Sequence, residues 1–382
     1  MAQRRSWDAI VVGAGVFGAW TAWRLRKARK RVLLVDLAGP AHARASSGGE
    51  SRMTRAVYGA DAIYTRMATA SLVDWRALSR RTSLPIFHET GVLFFFNNMV
   101  PYAQGSIEAH RAAGLPTQQL DRAEMQRRWP QINFADAEFG LFEPRFGVLM
   151  ARRSVQEVVA EFVRDGGEYR IARAAPAGAH AVSLNGLGET ADAIVYACGP
   201  WLPRVFPEVL GDRIFVTRQE ILFFATPPGD TSYEASRLPG WADYNGGDLF
   251  YGMPQLESRG FKVAHDKHGA HIDPDTEERV LSAEGLATVK AYVARRFPGL
   301  AGMPLVESRV CQYENSSNGD FLMDRHPTLE GVWLLGGGSG HGFKHGPEVG
   351  RMMAELVMGR QSAIEPRFSL ASKAAVQNRS VL

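Results

Sequence analysis

The sequence predicts an α/β plus α+β fold: a Rossmann-type dinucleotide-binding domain with an inserted antiparallel-sheet substrate domain. Three observations predict it. A strand, a glycine-rich turn, a helix and a second strand follow one another within residues 9–36. A strand running into another glycine-rich turn and helix stands at residues 332–359. Between them, residues 214–265 alternate runs rich in Phe, Tyr and Leu with Gly and Pro, the pattern of antiparallel strands and tight turns.

Ala9–Val12 is a short apolar run, and Gly13-Ala14-Gly15-Val16-Phe17-Gly18 after it is a GxGxxG turn. Gly13 permits the tight turn, Gly15 lets the backbone approach a pyrophosphate, and Gly18 lets helix and strand pack closely. The helix is expected from Val16 to about Arg29, its N-terminal N–H groups facing an anion. Val32–Val35 forms the next strand and ends in Asp36, a carboxylate placed to accept from a ribose diol; its charge argues against a 2′-phosphate. The motif alone does not separate FAD from NAD. Its place near the start of the sequence and the C-terminal glycine loop favour FAD.

Ser154 and Glu157 have capping-box spacing ahead of Val155, Val158, Val159, Phe162 and Val163, so a helix is expected to start at Ser154. Ala193–Ala197 and Val332–Leu335 read as buried strands. After Gly336-Gly337-Gly338-Ser339-Gly340-His341-Gly342-Phe343-Lys344, a helix is expected near Pro347, with Val349, Met352, Met353, Leu356 and Val357 buried and Gly359 ending it. Its positive end suits the negative charge of a reduced flavin.

The chain's 382 residues suggest two domains. The 44 basic residues against 40 acidic ones are scattered, which argues against a nucleic-acid partner. No run approaches the roughly 20 apolar residues that span a bilayer, so no membrane is expected. After Arg4 and Arg5 the apolar run is broken by glycines, against a signal peptide, and Arg379–Leu382 carries no recognisable address. Two cysteines, Cys198 and Cys311, give no disulfide framework and suit a reducing, cytoplasmic compartment. His341 and His345 are four apart, but Gly342 and Gly346 disfavour a helical metal pair, and no metal is expected.

Four separated signatures resemble the monomeric sarcosine oxidase and N-methyltryptophan oxidase group of the D-amino-acid-oxidase-like FAD-dependent oxidoreductases. They are the GxGxxG with Asp36; residues 49–59, which include Ser51, Arg52 and Arg55; Gly260-Phe261-Lys262 with Ile272–Thr276; and Cys311-Gln312-Tyr313 with Asp324, His326-Pro327 and the Gly340–Lys344 loop. The resemblance implies an FAD-binding domain of residues 1–85, 145–213 and 306–382 and a substrate domain of 86–144 and 214–305. It implies FAD held by Gly13, Gly15, Gly18, Asp36, Ser51, Arg52, Gly338, Gly340, Gly342, Phe343 and Lys344, and bonded covalently to Cys311. Lys262 would activate oxygen, with Arg52 beside the flavin; Arg55 and Lys344 would grip a substrate carboxylate; Tyr251, Tyr313 and His341 would line the cavity. The implied activity is oxidation of a secondary or N-alkyl amino acid at its C–N bond by a monomer, with O2 reduced to H2O2. Gly48 and Asp266 stand where sarcosine oxidase has histidines, and Gln312 and residues 314–317 also depart from its pattern.

Read without the resemblance, Arg55 would be a salt-bridge partner of Glu50 or another acid, Lys262 an edge-strand lysine that blocks aggregation, and Cys311 a small buried apolar group. Alternative functions are a dehydrogenase of the same fold that passes electrons to a partner, an oxidase of a bulkier biosynthetic amine, and a non-catalytic flavin-binding protein.

Overall fold

The computed structural model describes residues 6–245, 248–267, 269–361 and 363–376; the sequence features at Arg4, Arg5 and 379–382 lie outside them. Trp7–Val12 pairs in parallel with Val32–Asp36 on one side and with Leu187–Tyr196 on the other. Glu168–Ile171 and Val332–Gly336 extend the parallel core. Short antiparallel strands complete an eight-stranded sheet. The central strands Trp7–Val12, Val32–Asp36 and Val332–Gly336 are apolar and largely buried on both faces, whereas Glu168–Ile171 at the edge is partly exposed.

The helix Val16–Lys27 begins on the glycine turn and packs against Gly346–Val357. Glycines set that close approach: a Cβ at Gly350 would stand 2.6 Å from the Trp20 Cβ, and one at Gly346 2.4 Å from Val16. The first helix stops before Arg29, whose φ of 64° is left-handed. In the second, Val349, Met353 and Leu356 are buried, while Met352 and Val357 are half-buried against the same core.

The capping-box expectation at Ser154 is wrong. The helix runs Ala151–Arg164, and the Ser154 hydroxyl donates to the Met150 carbonyl from inside it. The strand Gly147–Met150 enters the helix directly, and the carbonyls of Glu50 and Gly49 accept from the N–H groups of Ala151 and Arg152. A side-chain cap is therefore unnecessary. Val163, expected in the apolar stripe, is 46% exposed.

The second large sheet also has eight strands. Leu305–Ser316 pairs with Ile214–Phe224 along its length; Phe261–His265, Asp248–Met253 and Gly240–Asn245 follow, all antiparallel. Gly240–Asn245 then pairs in parallel with Val92–Phe96. A parallel pair needs a crossover, and the chain between these strands makes it through the first sheet. A three-stranded sheet of Ser51–Thr54, Gly147–Met150 and Phe87–His88 carries Arg52, with Arg55 just past it. Among the described residues no helix is long and apolar enough to cross a membrane.

Candidate active site

A cavity of about 370 Å³ runs from Asp36 past Gly13 and Gly15 to Cys311. The glycine turn lines one part of it. Gly13 has φ 107°, and a Cβ there would lie 2.3 Å from the Ala197 carbonyl, so only glycine closes the turn on that strand. Gly15 faces the cavity, and a Cβ there would meet only Ser47, at 3.5 Å. Gly18 sits behind the turn, where a Cβ would collide with the Gly13 carbonyl. The Asp36 carboxylate accepts from the N–H groups of Ala14, Ala38 and Gly39 at 2.8–3.0 Å, which fixes both loops around it. The helix start has no acidic residue in its first turn.

The far end of the cavity is formed by Cys311, Tyr313 and the loop carrying Gly338, Gly340, Gly342 and Phe343. A Cβ at Gly340 would stand 2.6 Å from the Tyr313 ring and one at Gly342 2.9 Å from Phe17. Arg52 donates to the carbonyls of Ser51 and Ser46 and lies 3.4 Å from the Cys311 sulfur. It packs flat on Gly49, where a Cβ would come within 2.5 Å of its guanidinium.

These features fit FAD. The helix start has no acidic residue and no N-cap side chain, with Ser47 accepting from the Val16 N–H beside it, and suits a diphosphate; Asp36 stands where an adenosine ribose belongs. Glu314 supplies an independent sign. It lines the cavity, burial raises its pKa to about 7, and Oε1 accepts from the Gly338 N–H. Its Oε2 has no hydrogen-bond partner among the described residues. A buried acceptor of this kind needs a donor, and a ribityl hydroxyl is one.

A second cavity, of about 80 Å³, shares Arg52, Cys311, Tyr313, Gly340 and Phe343 with the first. The inner face of the second sheet roofs it, with Gln219, Tyr251 and Asp266 pointing in. The Tyr251 and Tyr313 hydroxyls lie 3.5 Å apart; burial, then Asp266, pushes Tyr251 up to about 12. Arg55 and Lys344, from opposite ends of the chain, both line this cavity. The Arg55 guanidinium lies 4.2 Å from the centre of the Tyr58 ring and the Lys344 ammonium 5.1 Å from it. Arg55 also donates to the Val57 carbonyl and reaches the Tyr102 hydroxyl at 3.5 Å. Lys344 donates to the His341 carbonyl at 2.7 Å. Burial first, and then Arg55, hold the Lys344 ammonium well below the usual lysine pKa. An anion between the two cations relieves both effects.

Glu50 is not the partner of Arg55; it pairs with Arg152, Arg259 and Arg309. Lys262 is not an edge lysine either. Its strand is interior to the sheet and the residue is 2% exposed, because its ammonium donates to the Ser51 carbonyl at 2.7 Å. Lys262 and Ser51 therefore stand behind the cavity wall, next to Arg52, and Lys344 lines the smaller cavity, not the longer one. Burial, then Arg52, lowers the Lys262 pKa well below its usual value. His341 and His345 both bond the Tyr58 hydroxyl, at 3.2 and 2.7 Å.

Sequence reasoning missed Glu143. It is 1% exposed at the end of Phe139–Glu143, and Oε1 accepts from the Ala56 N–H. Burial raises its pKa to about 8 against the pull of backbone N–H groups, Arg55 and Lys344. An acid closing an otherwise apolar strand was the available signal. The sign of its effect follows. Below about pH 8 Glu143 is neutral; above it a negative charge appears beside the two cations. Lys344 loses charge in the same direction. The inhibition constant of a simple carboxylate should therefore rise about tenfold between about pH 7 and 9.5, with the component near pH 8 absent in Glu143→Gln. A constant independent of pH in both proteins would contradict this.

The DAO family, described as FAD dependent oxidoreductase, matches residues 8–356. Monomeric sarcosine oxidase of Bacillus sp. (strain B-0618) is 29% identical over 366 residues, 92% of this chain and 92% of that protein. N-methyl-L-tryptophan oxidase of Salmonella heidelberg (strain SL476) is 26% identical, covering 94% of this chain and 96% of that one. A thermally stable mutant of fructosyl peptide oxidase superposes with a TM-score of 0.83 at 18% identity, over 96% of this chain and 94% of that one, which shows the shared fold.

Proposed function

The chain belongs to the DAO family of FAD dependent oxidoreductases, and on that premise we propose that it oxidises a secondary or N-alkyl amino acid at its C–N bond. The observation that carries the reading is the convergence of Arg55 and Lys344 on the Tyr58 ring, in a cavity that shares a wall with the dinucleotide cavity. Gly13, Gly15 and Asp36 would hold the FAD at one end, Glu314 its ribityl chain, and Cys311, Gly338, Gly340, Gly342 and Phe343 the other end. FAD there supplies the two-electron acceptor for the C–N bond and, with oxygen, yields hydrogen peroxide.

The residues position and polarise. Arg55 offers a planar fork to the substrate carboxylate and Lys344 a point charge. Tyr251, Tyr313 and His341 confine the amine against the shared wall, where it reacts as the neutral base. Lys262 and Arg52 place positive charge where oxygen is reduced. The relatives named as sarcosine oxidase and N-methyl-L-tryptophan oxidase act on N-methyl amino acids, which supports this substrate class. The enzyme works as a cytoplasmic monomer in this reading, and the free thiol of Cys198 suits a reducing compartment.

Aerobic incubation with N-methyl, cyclic and primary amino acids tests the proposal. An N-methyl substrate should give one formaldehyde per peroxide. Substrate oxidised only with an added dye, and no peroxide, would instead identify a dehydrogenase.

The 3.4 Å approach of Arg52 to the Cys311 sulfur supports a covalent bond to the flavin. Acid precipitation should leave the yellow colour in the protein pellet of the wild type and release it to the supernatant in Cys311→Ser. Release from the wild type would remove the covalent bond from the proposal and leave the oxidase.

A further inference from the structure

We propose that Asp266 selects the substrate by binding a second cationic group on it, an ammonium carried by the N-substituent or side chain and distinct from the nitrogen that reacts. This deepens the reading of the smaller cavity as an amino-acid site and rests on it.

Asp266 directly follows the strand Phe261–His265. Alternation along the strand puts Lys262, Ala264 and Asp266 on one face of the sheet. Ile221 pairs with Ala264, and Gln219 with Cys311, while the Asp266 N–H donates to the Leu249 carbonyl at 2.7 Å. Cys311, Gln219, Asp266 and Leu249 therefore form one row across four neighbouring strands, and all four line the cavity. Asp266 stands two strands, about 10 Å, from Cys311. It is in the roof, between the Cys311 end and the Arg55 end.

The Asp266 Oδ1 is buried and has no hydrogen-bond partner among the described residues. A buried acceptor left unpaired costs stability, and a ligand in the cavity supplies the missing donor. Arg55, Lys344 and Tyr251 all feel its charge. The cavity thus presents two cations at one end and an anion in the roof. Its occupant is a carboxylate with a positive group some bonds away.

That positive group is not the reacting amine. An aspartate's ordinary pKa lies about six units below that of an alkylammonium, so a carboxylate paired with the reacting nitrogen would hold the proton on it. The reaction needs the neutral base. A second amine keeps its proton and gains from the pair. The cavity of about 80 Å³ limits the substrate to a short chain.

The test uses the flavin-loaded enzyme and non-reacting ligands, read by the change in flavin absorbance. The probes are ω-amino carboxylates of about three to six carbons, with unsubstituted and ω-hydroxy carboxylates of equal length. One amino ligand should bind at least about tenfold tighter than its unsubstituted partner. That ratio should collapse toward one in Asp266→Asn and persist in Asp266→Glu. A ratio unchanged in Asp266→Asn, or a preference for the hydroxy ligand, would overturn the assignment and leave the carboxylate site standing. No response to any carboxylate would remove the amino-acid reading and this inference with it.

Discussion

Arg55→Met should lower kcat/KM for an amino-acid substrate by about a thousandfold. The guanidinium is held by the Tyr58 face, the Val57 carbonyl and the Tyr102 hydroxyl. Its fork is thus set before any ligand arrives. Removing one partner of a buried charge pair costs about 3–5 kcal/mol, and about 1.4 kcal/mol is tenfold in rate or binding. The loss should divide between KM and kcat, because a misplaced carboxylate also misplaces the reacting carbon. Arg55→Lys should recover only part, since an ammonium lacks the planar fork. Steady-state kinetics on protein with its full flavin spectrum measures this. A change of less than tenfold would take the carboxylate away from Arg55.

Lys262→Met should slow the oxygen half-reaction about a hundredfold and change the substrate half-reaction only a few-fold. Oxygen becomes an anion when it takes its first electron, and a fixed cation lowers the energy of that charge. At about 4 Å and an effective dielectric of about 20 the interaction is about 4 kcal/mol, ample for the expected loss. Lys262 is buried against Ser51 beside Arg52, so its position is fixed. The sign of the pH effect follows from its lowered pKa. The ammonium is complete at low pH and is lost as pH rises, well before an exposed lysine would lose it. The wild-type oxygen rate should fall with rising pH, and the Met variant should show no such fall. Stopped-flow measurement of each half-reaction separates the cases, and equal slowing of both would refute the role.

The βαβ unit was legible because its elements are local: four apolar residues, a glycine turn and a helix in about 30 positions specify one another. The antiparallel character of residues 214–265 was legible for the same reason. The parallel pairing of Gly240–Asn245 with Val92–Phe96 was not, since nothing local records which distant strand will be the neighbour. Ser154 misled because spacing alone does not show that Gly49 and Glu50 supply the helix with acceptors. The same limit governs the site. Arg55 and Lys344 are 289 positions apart in the sequence, and composition does not place them on one tyrosine ring. Resemblance to a family supplied that pairing. Glu143 had no such help, because its effect on the two cations depends on burial that only the assembled sheet creates.

In the proposed reaction an amino acid held by its carboxylate delivers electrons across the wall shared by the two cavities. Anaerobic mixing of the yellow protein with short N-methyl amino acids, neutral and ω-amino, and with the matching N-methylamines lacking the carboxylate tests it most directly. Rapid bleaching of the flavin by an acid and little or none by its amine is expected, with colour and peroxide returning on admission of air. Equal bleaching by acid and amine, or none by any acid, would contradict it.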